Sequence, residues 1–234
     1  SYSVTGVQTC ALPICHAAEG KKEVHVFVLK AGDLQVTVDT ARYPGHGAYE
    51  GTVWFENTGT RNSGVIRNVR VADRMLDGER PVLKGILGDH QNQYRPYARA
   101  LDEEPVQFRS DNGRPTHIWF PYFNLEHGDG GTLMAIGWGG TWEAQFTSDG
   151  HGHTHVVAGS TNDLCTYLKP GERIRTALMA FLPYRGRDEA HATNVWRRWF
   201  LDCNLPRLNA QGDPVRPFST RSEERRVGKE CRSR

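Results

Sequence analysis

Three histidines, His151, His153 and His155, stand at alternate positions in the run "HGHTH". Residues two apart in an extended strand point the same way, so the three imidazoles would share one face, and imidazole nitrogen is a good zinc ligand. Asp149 is the one acid at ligand spacing, and the run fits no common zinc motif. It also follows a Ser-Asp-Gly turn, where exposed polar side chains at a hairpin tip are expected. A solvated hairpin tip is therefore the simpler reading, and a zinc site on His151, His153 and His155 is the alternative.

Carboxylates offer a second chemistry. Asp102, Glu103 and Glu104 lie together in "LDEEP", and Glu126, Asp129 and Glu143 follow. Glycoside hydrolysis uses two carboxyl groups flanking a glycosidic oxygen, one as acid and one as nucleophile or base, a geometry that spacing in sequence does not reveal. Glu143, next to Trp142, is the acid with an aromatic neighbour suited to a sugar; a strand acid facing solvent is its plain alternative. Nucleophile motifs are absent: there is no Gly-x-Ser-x-Gly. Cys165 and Cys203 fall in strand-like and helix-like segments, where buried inert thiols are expected. The "GDGG" and "GWGG" runs sit in hairpin-like sequence with no helix start to hold a phosphate, so no cofactor is implied.

Aromatic residues offer a third. Trp119, Phe120, Tyr122, Phe123, Trp138 and Trp142 crowd one stretch interleaved with glycines. Flat rings stack on the C–H face of a pyranose, but alternate aromatics of a sandwich also fill its core. Trp138 lies between Gly137 and Gly139, which allow close approach, and is the member expected to be accessible. With Trp142 and Glu143 it makes the candidate sugar-binding set, and a self-sufficient carbohydrate-binding sandwich is one reading of it.

The two ends of the chain read differently from its interior. "RSEERRVGKEC", Arg221 to Cys231, and "VTGVQTCALPI", Val4 to Ile14, both look like translated sequencing-adapter DNA. Residues 1–15 and 221–234 are accordingly set aside, leaving residues 16–220 as the expected biological sequence. Without the tail the basic residues number 23 and the acidic ones 24, and the formal charge of +2 becomes −1. That balance argues against a nucleic-acid partner. No apolar run is long enough to span a bilayer as a helix, which argues against a membrane partner of that kind. Of five cysteines only Cys165 and Cys203 remain clearly interior, too few for a disulfide framework, so the compartment stays open.

The elements that must position these side chains are mostly strands. "EVHVFVLK" and "LQVTVDT" alternate with period two around an Ala-Gly-Asp turn, a hairpin signal. Further hairpins are expected through residues 49–76, through 106–120 with a turn at Asn112 and Gly113, through 123–138 around Asp129 to Gly131, and through 166–184 around Pro170 and Gly171. The period changes once. Ala192, Val195, Trp196, Trp199, Phe200 and Cys203 recur at spacings of three and four, with Asp188 as the N-cap and Pro206 as the stop. The fold class is all-β: a large antiparallel β-sandwich over 16–187, then a single C-terminal helix and linker over 188–220.

Four segments carry a resemblance: "GRPTHIWFPYFNLE", "GGTLMAIGWGGTWEAQF", "LKPGERIRTALMAFLPYRG" and "NVWRRWFLDCNLPR". In this order they resemble the N-terminal domain of melibiase-type α-galactosidases, retaining glycoside hydrolases. Gly137, Trp138, Gly140 and Trp142 fill that family's approximate Gly-Trp-x-Gly-x-Trp motif; Pro170 to Glu172 and the pair Asn194 and Arg197 also match. The resemblance spans roughly Val24 to Arg207. It implies a β-supersandwich, a connector helix, and then a (β/α)8 barrel that carries the two catalytic aspartates. A barrel of about 250 residues has no counterpart in this sequence, so no catalytic residue is carried over and the chain is expected to be inactive alone. Its implied partners are that barrel and a galactose-containing saccharide, with homo-oligomerisation open. The loop "GDHQNQYRPY", with His90, Asn92, Tyr94 and Tyr97, is the expected segment at the rim of the sugar pocket; an ordinary polar loop is the alternative.

Overall fold

The computed structural model of the chain describes residues 13–19, 22–89, 94–159, 164–186 and 188–205. Its strands are β1 (Pro13–Glu19), β2 (Lys22–Ala31), β3 (Leu34–Tyr43), β4 (Ala48–Asn57), β5 (Ile66–Arg67), β6 (Ala72–Asp77), β7 (Val82–Leu87) and β8 (Pro96–Ala100). They continue as β9 (Val106–Arg109), β10 (Trp119–His127), β11 (Gly130–Gly137), β12 (Glu143–Ser148), β13 (His153–Gly159), β14 (Cys165–Thr166), β15 (Arg173–Arg175) and β16 (Leu178–Arg185). One helix, α1 (Glu189–Trp199), follows. The contacts divide the chain after Trp199; in the second unit Phe200–Asn204 form a π-helical turn.

A ten-stranded antiparallel sheet runs in the order β1-β2-β3-β4-β16-β11-β10-β7-β8, with β15 also paired to β4. A four-stranded sheet, β6-β13-β12-β9, shares one apolar core with its inner face, and β5 pairs with β14. The all-β sandwich with one helix is therefore the observed architecture. Strict alternation makes the small sheet one-sided: β12 buries Ala144, Phe146 and Ser148 and turns Glu143, Gln145 and Thr147 outward. Between the sheets, Phe123 meets Phe108 and Phe146, each at 5.2 Å and 5.2 Å between ring centres, with Trp142 at 5.8 Å. Each fully buried ring of this kind contributes about 1.5–3 kcal/mol through removal from water.

Strands β11 and β16 are buried on both faces because α1 covers the outer one. Leu133 and Leu182 point away from the small sheet yet are 1% and 0% exposed. Helix residues Trp196 and Trp199 reach the sheet edge-on, against Tyr122 at 5.1 Å and Tyr43 at 5.4 Å. Asp188 caps α1 as its position suggests: its Oδ1 accepts the Ala190 amide at 3.0 Å. Pro206 lies outside the described residues.

Two of the expected hairpins are sheet crossings instead. Strand β4 belongs to the large sheet and β6 to the small one; likewise β9 belongs to the small sheet and β10 to the large one. The turn at Asn112 and Gly113 does exist, with φ of 54° and 67°, but it leads from one sheet to the other. Local turn residues specify a reversal, while the pairing partner is chosen by long-range packing. Buried Asn57 secures the first crossing. Its Nδ2 donates to the carbonyls of Arg61 at 2.7 Å and Leu168 at 2.8 Å, and its Oδ1 accepts the Gly59 amide at 3.0 Å. A second apolar cluster of Leu34, Val36, Phe55, Ile66, Val69 and Leu168 closes beneath it. The β2–β3 and β10–β11 hairpins form as expected, with Ala31 opposite Leu34 and His127 opposite Gly130. Pro170 and Gly171 also form a turn, but β15 and β16 both pair with β4.

Candidate functional site

Leaving β11 at Gly137, the chain crosses to the small sheet and enters β12 at Glu143. Trp142 is 0% exposed. Its indole Nε1 donates to the Pro115 carbonyl at 2.7 Å, and its backbone amide donates to Ser110 Oγ at 3.0 Å. Glu143, the next residue, faces outward and accepts from Arg109 Nη1 at 2.9 Å across the β12–β9 pair. The pleat thus separates Trp142 from Glu143, sending one inward and the other to the surface. Trp138 is half-buried, packs against the main core, and has the Arg175 guanidinium 5.7 Å from its ring centre. Gly140 permits this placement, because a Cβ there would lie 3.0 Å from the Trp138 Nε1. Trp138 and Trp142 therefore do not make a shared open platform: one is a core plug, and the other is partly covered by a cation.

The loop between β7 and β8 is tied at its base. The Leu87 amide donates to the Arg95 carbonyl at 2.8 Å and the Tyr94 amide to the Gly88 carbonyl at 3.3 Å. Gly88 and Asp89 donate to Ile118 and Thr116 carbonyls at 2.7 and 3.0 Å. A Cβ on Gly88 would run into the Thr116 carbonyl. Ile118 itself is held at φ 68°, a strained conformation for a β-branched residue. His90 and Asn92 lie outside the described residues. Tyr94 is 50% exposed and meets Phe120 edge-on at 6.0 Å. Tyr97 is different: it stacks on Phe108 at 5.7 Å, meets Trp119 at 5.6 Å, and burial pushes its phenol well above its ordinary range. The candidate rim set thus divides into an exposed Tyr94 and an interior Tyr97, which the alternation of β8 turns toward the core.

The histidines are engaged by different acids. Asp149 Oδ1 accepts the amides of His151 and His153 at 2.8 and 3.0 Å, and its Oδ2 contacts His153 Nδ1 at 2.8 Å. Those backbone hydrogen bonds, more than any other cause, hold the Asp149 carboxyl down at about 2. His155 Nε2 instead meets Asp73 Oδ1 at 2.6 Å; that contact and the Arg70 guanidinium lower the Asp73 carboxyl. His151 sits in the turn before β13, so the strand alternation that would align three imidazoles applies only to His153 and His155. Among the described residues no three His, Cys, Asp or Glu side chains gather as a metal set. Cys165, expected to be buried, is exposed because β14 is a two-residue strand at the surface.

Sequence reading passed over the outward side chains of the small sheet, notably Gln107, Arg109 and Gln145. Their signal was present in "VQFR" and "EAQFTS", where polar residues alternate with buried ones.

No family model matches this sequence, and no curated protein matches it. Solved structures do match the fold. The galactosidase domain of the α-galactosidase-sucrose kinase AgaSK aligns with a TM-score of 0.63 at 19% identity, over 77% of this chain and 26% of that one. A variant of the GH36 α-galactosidase AgaA from Geobacillus stearothermophilus, in complex with stachyose, aligns with a TM-score of 0.63 at 19% identity, over 84% and 30%. The α-galactosidase from Lactobacillus brevis aligns with a TM-score of 0.61 at 14% identity, over 76% and 25%. At these identities the likeness is one of fold, and the chain spans about a quarter of the length of the structures it matches.

Proposed function

We propose that this chain is the N-terminal β-sandwich domain of a glycoside hydrolase of the α-galactosidase type. In this reading it supports a catalytic (β/α)8 barrel, shapes the rim of the barrel's sugar pocket, and has no glycosidase activity alone. The observation that carries the reading is the alignment of 77% of this chain with 26% of the AgaSK galactosidase domain. The placement of the acids is in keeping with it. Asp102 Oδ1 accepts the Glu104 amide at 3.0 Å, Glu126 is bound by Lys84 at 2.8 Å, and Glu143 is bound by Arg109. Glu126 lies on the outer face of the large sheet and Glu143 on the outer face of the small one, so the two do not flank one glycosidic oxygen as a glycosidase pair does. Tyr94, exposed on a loop with a braced base, is the described residue best suited to a pocket rim. The substrate of the whole protein is a galactose-containing saccharide.

The test is to read the source DNA outward from the interior of the gene and express the longer product. The longer protein is expected to release nitrophenol from p-nitrophenyl α-galactoside, while the 234-residue chain is expected to release none. Release by the short chain at a rate above that of mock-purified controls overturns the proposal. So does a longer reading frame with no barrel-sized α/β sequence.

A further inference from the structure

We propose that the outer face of the four-stranded sheet is a binding groove for a neutral oligosaccharide. Strand register assembles it from residues far apart in the chain. Asp73, Val157, Gln145 and Gln107 lie across one rung, and Gly159, Glu143 and Arg109 across the next. Arg70 and His155 close the side nearest β6. The enclosed volume is about 400 Å³, within the roughly 300–1,000 Å³ of small-molecule sites.

The floor of the groove is Val157, an apolar patch for the C–H face of a sugar ring, set between Asp73 and Gln145 of its neighbouring strands. Gly159 is buried at the end of β13, with the Val71 side chain filling the place a Cβ would take, 2.5 Å away. The walls are polar and preorganised. Gln107 Nε2 donates to Gln145 Oε1 at 3.2 Å, and Arg109 holds Glu143 at 2.9 Å. On the far side Arg70 binds Asp73 at 2.9 Å, and Asp73 meets His155. A carboxamide has two donor hydrogens and two acceptor lone pairs, so Gln107 and Gln145 retain capacity for hydroxyl groups. Side chains already held in place lose little further freedom on binding.

Charge selects the ligand class. Each arginine is matched by an acid, Arg109 by Glu143 and Arg70 by Asp73, so the groove has no surplus for a phosphate backbone or another polyanion. A protein hot spot calls for large exposed apolar anchors, whereas here Phe108 and Val69 are buried and Val157 is the apolar side chain the sheet turns outward. Neutral, planar, hydrogen-bonding walls over a small apolar floor fit a polyhydroxylated ring. The groove is built from the small sheet and the segment of Val69 and Arg70 that leads into it, and it stands whether or not a barrel follows.

Saturation-transfer NMR and titration calorimetry on the full 234-residue chain test it, with raffinose and maltotriose as neutral probes and inorganic phosphate as the anionic one. Binding of at least one neutral probe is expected, with Kd on the order of 1 mM. Gln107→Ala and Gln145→Ala, surface changes checked for unaltered circular dichroism, are each expected to weaken it about tenfold. Absence of saturation transfer to both sugars at about ten times that concentration overturns the proposal. Binding left unchanged in both variants overturns it too, as does binding of phosphate alone. If the longer protein lacks galactosidase activity while sugar still binds here, the groove stands and the catalytic reading falls. Activity without binding in the groove removes the groove alone.

Discussion

Replacing Trp142 discriminates between a core residue and a sugar platform. The side chain is 0% exposed, touches Phe123 edge-on at 5.8 Å, and donates its indole hydrogen to the Pro115 carbonyl at 2.7 Å. Trp142→Ala removes the ring and leaves a cavity between the sheets, a loss of about 3–5 kcal/mol for a large aromatic. The Pro115 carbonyl also loses its partner; because Pro115 is only half-buried, that adds toward the lower end of about 1–3 kcal/mol. Since a folded domain commonly holds only about 5–15 kcal/mol in total, Trp142→Ala is expected to sit near its unfolding threshold. Trp142→Phe provides a graded comparison: most of the apolar surface stays, the hydrogen bond goes, and a loss of about 1–2 kcal/mol is expected. Urea unfolding followed by far-UV circular dichroism measures both, with an unchanged slope confirming that stability rather than compactness moved. Trp138→Ala, at a half-buried position, is expected to lose less than Trp142→Ala. A loss below about 1 kcal/mol for Trp142→Ala refutes the packing argument, since no buried tryptophan in a closed core should be so cheaply removed.

Other perturbations probe separate links. Asn57→Ala strips three hydrogen bonds from the β4–β5 crossing and is expected to lower stability by about 2–4 kcal/mol, read from the same urea midpoint. Gly88→Ala drives a Cβ into the Thr116 backbone, so a loss of about 1–3 kcal/mol or more is expected, together with shifted amide signals at Asp89 and Tyr94; wild-type behaviour refutes the placement. Asp188→Ala removes the cap of α1 and is expected to cost about 1 kcal/mol, while Asp188→Asn retains most of it. Asp149 has a folded carboxyl at about 2 against an ordinary 3.8, so its contribution is complete above 3.8 and fades as pH falls toward 2. The amide resonances of His151 and His153 should therefore hold steady through pH 3.8; a midpoint at that value contradicts the hydrogen-bonded turn.

Much of the architecture was legible because it depends on local periodicity. Alternation in "EAQFTS" reports a one-sided burial that β12 realises, "EVHVFVLK" forms its strand with both faces half-buried, and the three-four spacing of Ala192, Trp196 and Trp199 reports a helix face. The candidate site was less legible. Trp142 and Glu143 are adjacent in sequence, and their grouping ignored a pleat that sends neighbours to opposite faces. Tyr94 and Tyr97 share a loop segment, yet one is exposed and the other lies under Trp119.

By itself the sequence determined what repeats along the chain: strands, turns, the cap at Asp188, and the order of motifs that resembles a glycosidase N-terminal domain. Tertiary structure decided which strands are partners. It sent β4 and β6 to different sheets, and it gathered Gln107, Gln145 and Val157 from separate strands into one groove. The physical reason is that period and turn chemistry act over a few residues, whereas sheet pairing and core closure join residues far apart in the chain, as Asn57 joins Leu168, 111 positions on, and Val53 joins Thr176, 123 positions on.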